Sequence, residues 1–478
     1  KLHQFYSHHL CTPSRGSLLT GKLPIQIGLQ HDEVIQPMSP WGLNLEYKLL
    51  PETLQELGYE THIVGKWHLG HYMFDFFPTK RGFDSFFGFV TDQEHYYNHT
   101  YSFKIMEKRW SDLVSSDPDD FTVVQGREGE LSTIIYRDKV RDLIEAHDVD
   151  SPFFLYYATQ NVHGPLDEIR DMTLFTDAQS KAIQAIQNPE RKVFAKLLGA
   201  LDHAVSDLVK TLKVNGMWDS SVLLLSSDNG GCQYGGGYNN PLRGGKHFLF
   251  EGGIRVPAFI SSPMLPTSVM GTTYTGLFHI SDVYPTIMGM LQQNLPEDID
   301  GISQWDALLR KTSVYPRTEL MHNIDYWAIP TTSTTLQMMT HPRAAYREGD
   351  MKLILHHWAL GWYAPPINTP SSEGEKLSGR SSISRPDNEG IEDCADPPKD
   401  HAALDFLFNI SADPHETRNL VNLTEYADTV QRMRARVMEE AKRMVIASWI
   451  AEDESSVDTW MMTGFVVPWM VMPGGSQL

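Results

Sequence analysis

Cysteine is scarce in this chain. Three occur in 478 residues, Cys11, Cys232 and Cys394, too few for a dense disulfide framework, and an odd number leaves one thiol unpaired within the chain. Long apolar runs are missing as well. The best candidate, Met461 to Met472, is short and broken by Gly464 and Pro468, so it reads as packed core or loop and no membrane span is expected. Basic charge is in deficit: 40 Lys+Arg against 60 Asp+Glu gives a net charge of −20. A field of that sign repels nucleic acid and anionic membranes, which leaves room only for a local basic pocket. There is no internal repeat and no visible targeting segment. The chain opens at Lys1 without a methionine, which reads as a processed or truncated product.

What is present is an ordinary globular composition, 41% hydrophobic and 21% charged, which excludes disordered, collagenous and disulfide-scaffold classes. At roughly 150 residues per domain the length fits about three domains or two large ones. Short apolar runs alternate with helical patterns through the first two-thirds. Leu49 to Leu57 has helical spacing and stops at Gly58; Thr61 to Val64, Pro152 to Ala158 and Ser221 to Leu225 read as strands. Between the last two, Lys192 to Leu212 places Val193, Leu197, Leu198, Leu201, Val205, Leu208 and Val209 at helical intervals. Continuous apolar strands alternating with amphipathic helices predict an α/β fold with a mostly parallel sheet covered on both faces. Near residue 335 the character changes. Arg343 to Leu355 reads as two strands around a Glu348-Gly349-Asp350 turn, residues 366 to 400 as a long exposed loop, Leu404 to Asn409 as a strand and Tyr426 to Ser448 as a helix. The expected division is therefore a domain over 1–335 and a smaller α+β domain with an antiparallel sheet over 336–478.

In a doubly wound sheet, ligands gather beyond the carboxyl ends of the strands. Three of the expected strands are followed by chemically capable residues: Gly65-Lys66-Trp67-His68, Asn161-Val162-His163 and Asp228-Asn229-Gly230-Gly231. Each has a plain structural meaning when taken singly, a hydrogen-bonded loop histidine or a turn. Their coincidence at equivalent positions on one rim is the functional signal. A fourth piece is Cys11-Thr12-Pro13-Ser14-Arg15-Gly16-Ser17-Leu18-Leu19-Thr20-Gly21. Thr12 suits a helix cap, Pro13 the first helical position and Gly21 the end. Cys11 then lies at a helix N-terminus, which favours an anion, with Arg15 one turn on. By chemistry alone it is either a nucleophile beside an oxyanion site or a small buried cysteine at a structural helix.

These motifs resemble those of the type I sulfatases, and they do so in order along the chain. Cys-x-Pro-Ser-Arg with Leu18-Leu19-Thr20-Gly21 resembles the first family signature. Gly58-Tyr59-Glu60-Thr61 leading to Gly65-Lys66-Trp67-His68 resembles the second. The match continues through Asn161-Val162-His163, Asp228-Asn229-Gly230-Gly231, Leu242-Arg243-Gly244-Gly245-Lys246, Glu251-Gly252-Gly253-Ile254-Arg255, His279-Ile280-Ser281-Asp282 and Leu407-Phe408-Asn409-Ile410 to Asp413-Pro414-His415-Glu416. Gly28-Leu29-Gln30-His31, Pro78 to Asp84 and His322-Asn323-Ile324-Asp325 look closest to the arylsulfatase B-like enzymes.

The resemblance implies an alkaline-phosphatase-like sandwich and hydrolysis of a sulfate ester. It implies that Cys11 is oxidised to formylglycine, with Thr12, Pro13, Ser14 and Arg15 read by the formylglycine-generating enzyme. Arg15 and His68 would hold and deprotonate the hydrate, Lys66 and Lys246 would neutralise sulfate oxygens, and His163 with Lys246 would serve the leaving alcohol. A Ca2+ ion would be held by Asp228, Asn229 and the modified residue 11. The implied substrate is a sulfated sugar of the N-acetylgalactosamine-4-sulfate type or a small aryl or metabolite sulfate. The implied location is the secretory pathway, ending in the lysosome or outside the cell. Sequons at Asn98, Asn409 and Asn422 lean the same way.

One departure stands out. The family's other two calcium ligands are an aspartate pair on a first strand upstream of the cysteine motif. Residues 1–10 contain no carboxylate, and His8 and His9 are poor calcium ligands expected to flank the helix. The expectation is a chain without that strand that binds calcium weakly and turns over slowly. Two rivals follow: a non-catalytic secreted homologue, and a phosphatase or phosphodiesterase of the same superfamily, which the cysteine motif and the lack of Asp/His clusters disfavour. Leu242 to His247 has the wrong spacing for a nucleotide loop, and Asp298 to Gly301 lacks the acidic positions of an EF-hand. Met338-Met339 and Met461-Met462 read as core.

Overall fold

The computed structural model describes residues 1–31, 34–103, 108–232, 235–328, 337–358 and 403–470. The chain begins with β1 (Leu2–Tyr6), α1 (Cys11–Thr20), α2 (Leu50–Glu56), β2 (Glu60–Lys66) and β3 (Ser85–Phe89). Next come β4 (Thr100–Phe103), β5 (Lys108–Ser111), β6 (Val114–Ser116) and β7 (Phe121–Val123). The middle holds α3 (Ser132–Ala146), β8 (Phe153–Ala158), α4 (Asp177–Ala185), α5 (Pro189–Val214) and β9 (Leu223–Ser226). It continues with α6 (Glu251–Ile254), β10 (Ala258–Ser261), β11 (Tyr274–His279), α7 (Val283–Met290) and α8 (Trp305–Leu308). The last part holds β12 (Glu319–Ala328), β13 (Gln337–Glu348), β14 (Met351–Trp358) and β15 (Ala403–Asn409), then helices over Ala427–Glu440 and Ser455–Thr463.

Strand alternation builds the central layer. On β2, Ile63 points into a core with Leu19, Trp41, Trp67, Phe83 and Phe86. Its neighbour Val64 points to the other face, against Tyr136, Val140, Ile144 and Leu212 of α3 and α5. Both faces are covered, which is why these strands read as unbroken apolar runs. β2 pairs in parallel with β3 on one side and β8 on the other. Near the rim the three backbones crowd together. A Cβ on Gly65 would lie 2.0 Å from the Ala158 carbonyl oxygen, and Gly65 has φ +106°, so only glycine fits immediately before Lys66.

The sheet is mixed, which corrects the expectation of a mostly parallel one. The order is β7-β6-β3-β2-β8, with β6 and β7 added antiparallel at the β3 edge. These two strands have 3 residues each and carry no pattern long enough to read from the sequence. β9 likewise pairs antiparallel with β10, and β1 pairs in parallel with β11. The late antiparallel sheet runs β12-β13-β14-β15; it opens at Glu319, upstream of the change of character at 335. It shares one core with the earlier part, where Tyr6, Phe248, Phe250, Ile254 and Leu277 pack with Leu320, Tyr346, Leu353, Phe408 and Val437.

Two local expectations are also corrected. α1 starts at Cys11, with Leu10 as its cap residue and no side-chain cap, so Thr12 is inside the helix. The helix expected over Tyr426 to Ser448 stops at Glu440. Beyond it the backbone turns to bond the early loop, with Val445 N–H to Ile25 O at 3.0 Å and Ser448 N–H to Gly28 O at 2.7 Å. Cys232 is disulfide-bonded and Cys11 is a free, buried thiol. Cys394 and the loop expected over 366–400 lie outside the described residues. No helix among the described residues is long and apolar enough to cross a membrane.

Candidate active site

Cys11 begins α1 with 2% of its surface exposed, at the end where the first backbone N–H groups have no intrahelical partner. Released from capping, the Thr12 hydroxyl donates to His68 O at 3.3 Å and accepts Ile35 N–H at 3.3 Å. Ser14 closes the entry by accepting His8 N–H at 3.0 Å. Pro13 and the rest of Cys11 to Arg15 are buried. The Cys11 thiol donates to Asn229 Oδ1 at 3.2 Å.

Arg15 holds the centre together. Its Nη2 is 2.9 Å from Asp228 Oδ2, and its Nη1 donates to Lys66 O at 3.0 Å and to the Tyr156 hydroxyl at 3.3 Å. Its Nε–H is buried without a partner, as is the Lys66 ammonium. Burial pulls the Lys66 pKa down, with Cys11 and Asp228 opposing. Burial alone would raise the Asp228 pKa, but Arg15, Lys66, Lys246 and His163 together hold it well below the usual carboxylate range. That four-fold influence is the electrostatic sign of one shared site.

The two histidines are neutral for stated reasons. His68 sits at φ +58°, a left-handed conformation costly for a non-glycine residue and often found at functional sites. Its Nε2–H donates to Ile35 O at 3.0 Å, which leaves Nδ1 as an unpartnered buried acceptor. Burial, then Lys66 and Arg15, push its pKa well down. His163 donates from Nδ1 to Gly164 O at 2.8 Å and accepts from Lys246 Nζ at 3.1 Å on Nε2. Burial, then Lys246 and Lys66, lower its pKa well below the ordinary value. Lys246 hangs from the loop containing the disulfide-bonded Cys232. Its N–H reaches Gly231 O at 3.2 Å, and Asn239 braces Gly231 with two bonds of 2.8 Å.

The structure thus brings together Cys11, Arg15, Lys66, His68, His163, Asp228, Asn229 and Lys246. The sulfatase family model matches residues 1–293. This chain belongs to the sulfatase family. Arylsulfatase J of Mus musculus is 34% identical over 469 residues, 95% of this chain and 72% of that protein. N-acetylgalactosamine-6-sulfatase of Homo sapiens is 27% identical over 480 residues, 97% of this chain and 82% of that protein. Among solved structures, Ps i-CgsB aligns with a TM-score of 0.70 at 23% identity, over 96% of this chain and 88% of that one. PsFucS1 sulfatase from Pseudoalteromonas sp. aligns at 0.65 and 20%, over 94% and 84%. The fold is alkaline-phosphatase-like, and sulfate ester hydrolysis is the activity that membership carries.

Sulfatases in general depend on formylglycine and calcium. A free cysteine, buried at a helix start beside Asn229 and Arg15, fits the first requirement. Toward the second, the described residues supply Asp228 and Asn229 as oxygen donors at the site of residue 11. Asp228 and Asn229 offer a carboxylate already paired with Arg15 and an amide oxygen already taken by Cys11, where calcium uses six to eight oxygens. No group of three or more His, Cys, Asp or Glu suited to a metal occurs among the described residues. The surroundings, with Arg15, Lys66 and Lys246 about Asp228, are cationic and suit an anionic substrate.

Sequence reasoning missed Tyr156 and Tyr96. Tyr156 was legible only as a hydroxyl two residues from the end of an apolar strand. Tyr96 donates to His163 O at 2.9 Å from a loop with no motif. Of the sequons, Asn98 and Asn422 are exposed; Asn409 ends β15 half-buried, its Oδ1 accepting Ala412 N–H at 3.0 Å.

Proposed function

We propose that this sulfatase removes sulfate from a sulfated sugar of the N-acetylgalactosamine-4-sulfate type. The observation that carries this reading is the pair of buried, unpartnered cationic donors, Arg15 Nε and Lys66 Nζ, beside Cys11. A buried N–H on a cation without an acceptor is costly, and an oxyanion supplies the acceptor that Arg15 Nε and Lys66 Nζ both lack. Lys66 and Lys246 neutralise sulfate oxygens. Arg15 orients residue 11, and Asn229 accepts from it. His68, neutral and open at Nδ1, takes a proton on that side; Lys246 and His163, joined through Nε2, stabilise the leaving oxygen on the other. Once oxidised to formylglycine by its generating enzyme, residue 11 would supply the oxygen that attacks sulfur as the bond from sulfur to the sugar oxygen breaks, that oxygen leaving on the Lys246 and His163 side. The arylsulfatase B-like motifs support the 4-position, and relatives named for N-acetylgalactosamine-6-sulfate support the sugar. We assign these groups to the unit 1–335, behind which Lys352 and Glu416 of the smaller unit 336–478 meet Glu251. The secretory pathway, ending in the lysosome or outside the cell, is supported by the bonded Cys232 and the exposed Asn98 and Asn422.

A second reading, a non-catalytic homologue, is favoured by the short oxygen donor set at Asp228 and Asn229. Mass spectrometry of the peptide containing residue 11 separates the two, since an aldehyde is expected for the enzyme and an intact thiol for the homologue. In the active protein, hydrolysis of a 4-sulfated sugar is expected to exceed that of 6-sulfated and aryl substrates, and Cys11→Ala lowers turnover of all of them by at least about 10³-fold. Turnover retained by that variant would overturn the assignment.

A further inference from the structure

We propose that Lys352, on the late antiparallel sheet, is a positioning residue for the reaction rim, acting through Glu251 and α6. Its ammonium lies 2.9 Å from Glu251 Oε1 and 2.9 Å from Glu416 Oε1, and all three side chains are 0% exposed. Glu251, the first residue of α6, is held from every side. Its other oxygen accepts the Tyr6 hydroxyl at 2.9 Å, and its N–H donates to Glu416 Oε2 at 2.7 Å. Arg347 of β13 donates to the same Tyr6 hydroxyl. Tyr6 ends β1, the strand that leads into Cys11.

α6 in turn is the surface on which two reactive loops rest. Gly230 N–H bonds Gly253 O at 2.8 Å, and a Cβ on Gly230 would lie 1.9 Å from Gly252 O. On its other side Gly252 N–H bonds Arg243 O at 2.7 Å, at the head of the segment that carries Lys246. Three pieces of the site, the approach to Cys11, the Asp228-Asn229 turn and the Lys246 loop, therefore lean on one short helix. The late sheet fixes the first residue of that helix. Packing this tight passes a displacement on rather than absorbing it.

An ion cluster so deeply buried is not needed for stability, since apolar residues of similar volume commonly serve as well or better. What an apolar replacement lacks is direction. One lysine between two carboxylates, with a tyrosine bridging to an arginine, fixes Glu251 by distances and angles.

This inference rests on the assigned roles of Asn229 and Lys246. The test compares Lys352→Met, Lys352→Arg and Tyr6→Phe in the complete active protein, assayed well below the melting transition. Lys352→Met is expected to lower kcat about 30- to 100-fold with KM within about twofold, because misplacement by about 1 Å is enough for such a loss. Lys352→Arg recovers most of it. Tyr6→Phe, which keeps the ring packed and removes only the bridge, lowers kcat about 3- to 10-fold. Should Lys352→Met fail to fold, Tyr6→Phe decides. Parental kcat in Tyr6→Phe and in every folded Lys352 variant would overturn the proposal, even if their melting points drop. Activity surviving in Cys11→Ala would instead count against the assigned chemistry, so the two failures are distinguishable.

Discussion

Lys66 and Lys352 are both shut away from water, at 1% and 0% exposure, and the fold treats them in opposite ways. Lys352 lies between two carboxylates at 2.9 Å each. Lys66, the last residue of β2, has an ammonium with no hydrogen-bond partner. Burying a charge costs several kcal/mol unless it is paired. The first lysine's cost is offset inside the protein, so it serves architecture. The second's is left open for something that arrives from outside. Comparing the two separates two uses of a buried cation: a satisfied one holds its neighbours in place, and an unsatisfied one is open to an anion.

The sharpest way to break this comparison is to remove each charge. Lys66→Met is expected to reduce kcat/KM by on the order of 10³-fold, with a melting temperature equal to or above the parent's. Lys352→Met is expected to cost about 3–5 kcal/mol of stability, because two buried carboxylates lose their partner. Calorimetry beside steady-state kinetics checks both, and similar destabilisation by the two changes would end the distinction. Next in size is the response to inorganic sulfate. At a hundredfold excess over its Kd, sulfate stabilises the parent by about 2.7 kcal/mol. Lys352→Arg retains that gain and Lys66→Met loses it, as read by thermal shift.

The smallest effect is pH dependence at the seam. Burial and then Glu251 push the Glu416 pKa up to about 7, against the pull of Lys352. Since the folded value lies above the ordinary 4.5, its stabilising contribution is complete below the unfolded value and is lost as pH rises through about 7. The melting temperature is expected to decline from about pH 5 to about pH 8, and Glu416→Gln to flatten that decline. A parental slope in Glu416→Gln would remove Glu416 as the cause.

The reaction rim was legible because its residues follow strand ends. Lys66, His163 and Asp228 each come just at or after an apolar run, and a run is a local pattern. The mixed sheet was not legible, since Val114–Ser116 and Phe121–Val123 are too short to show a period. The overlong helix had the same origin in reverse. Past Glu440 the periodicity continues, while the backbone is captured by Ile25 and Gly28, some 420 residues earlier in the chain. Lys352 was invisible for a related reason: its partners are Glu251 and Glu416, 101 and 64 residues away. No window of sequence contains them together.

The bonded Cys232 has a practical consequence. The segment after it folds back on Cys232 O through Gly235 and Gly237 at 3.2 and 2.9 Å, and Lys246 hangs from Gly231 next to it. Reduction of that bond is therefore expected to loosen the loop that carries Lys246, read as a fall in turnover on treatment with a thiol, while β2, β3 and β8 contain no cysteine to lose.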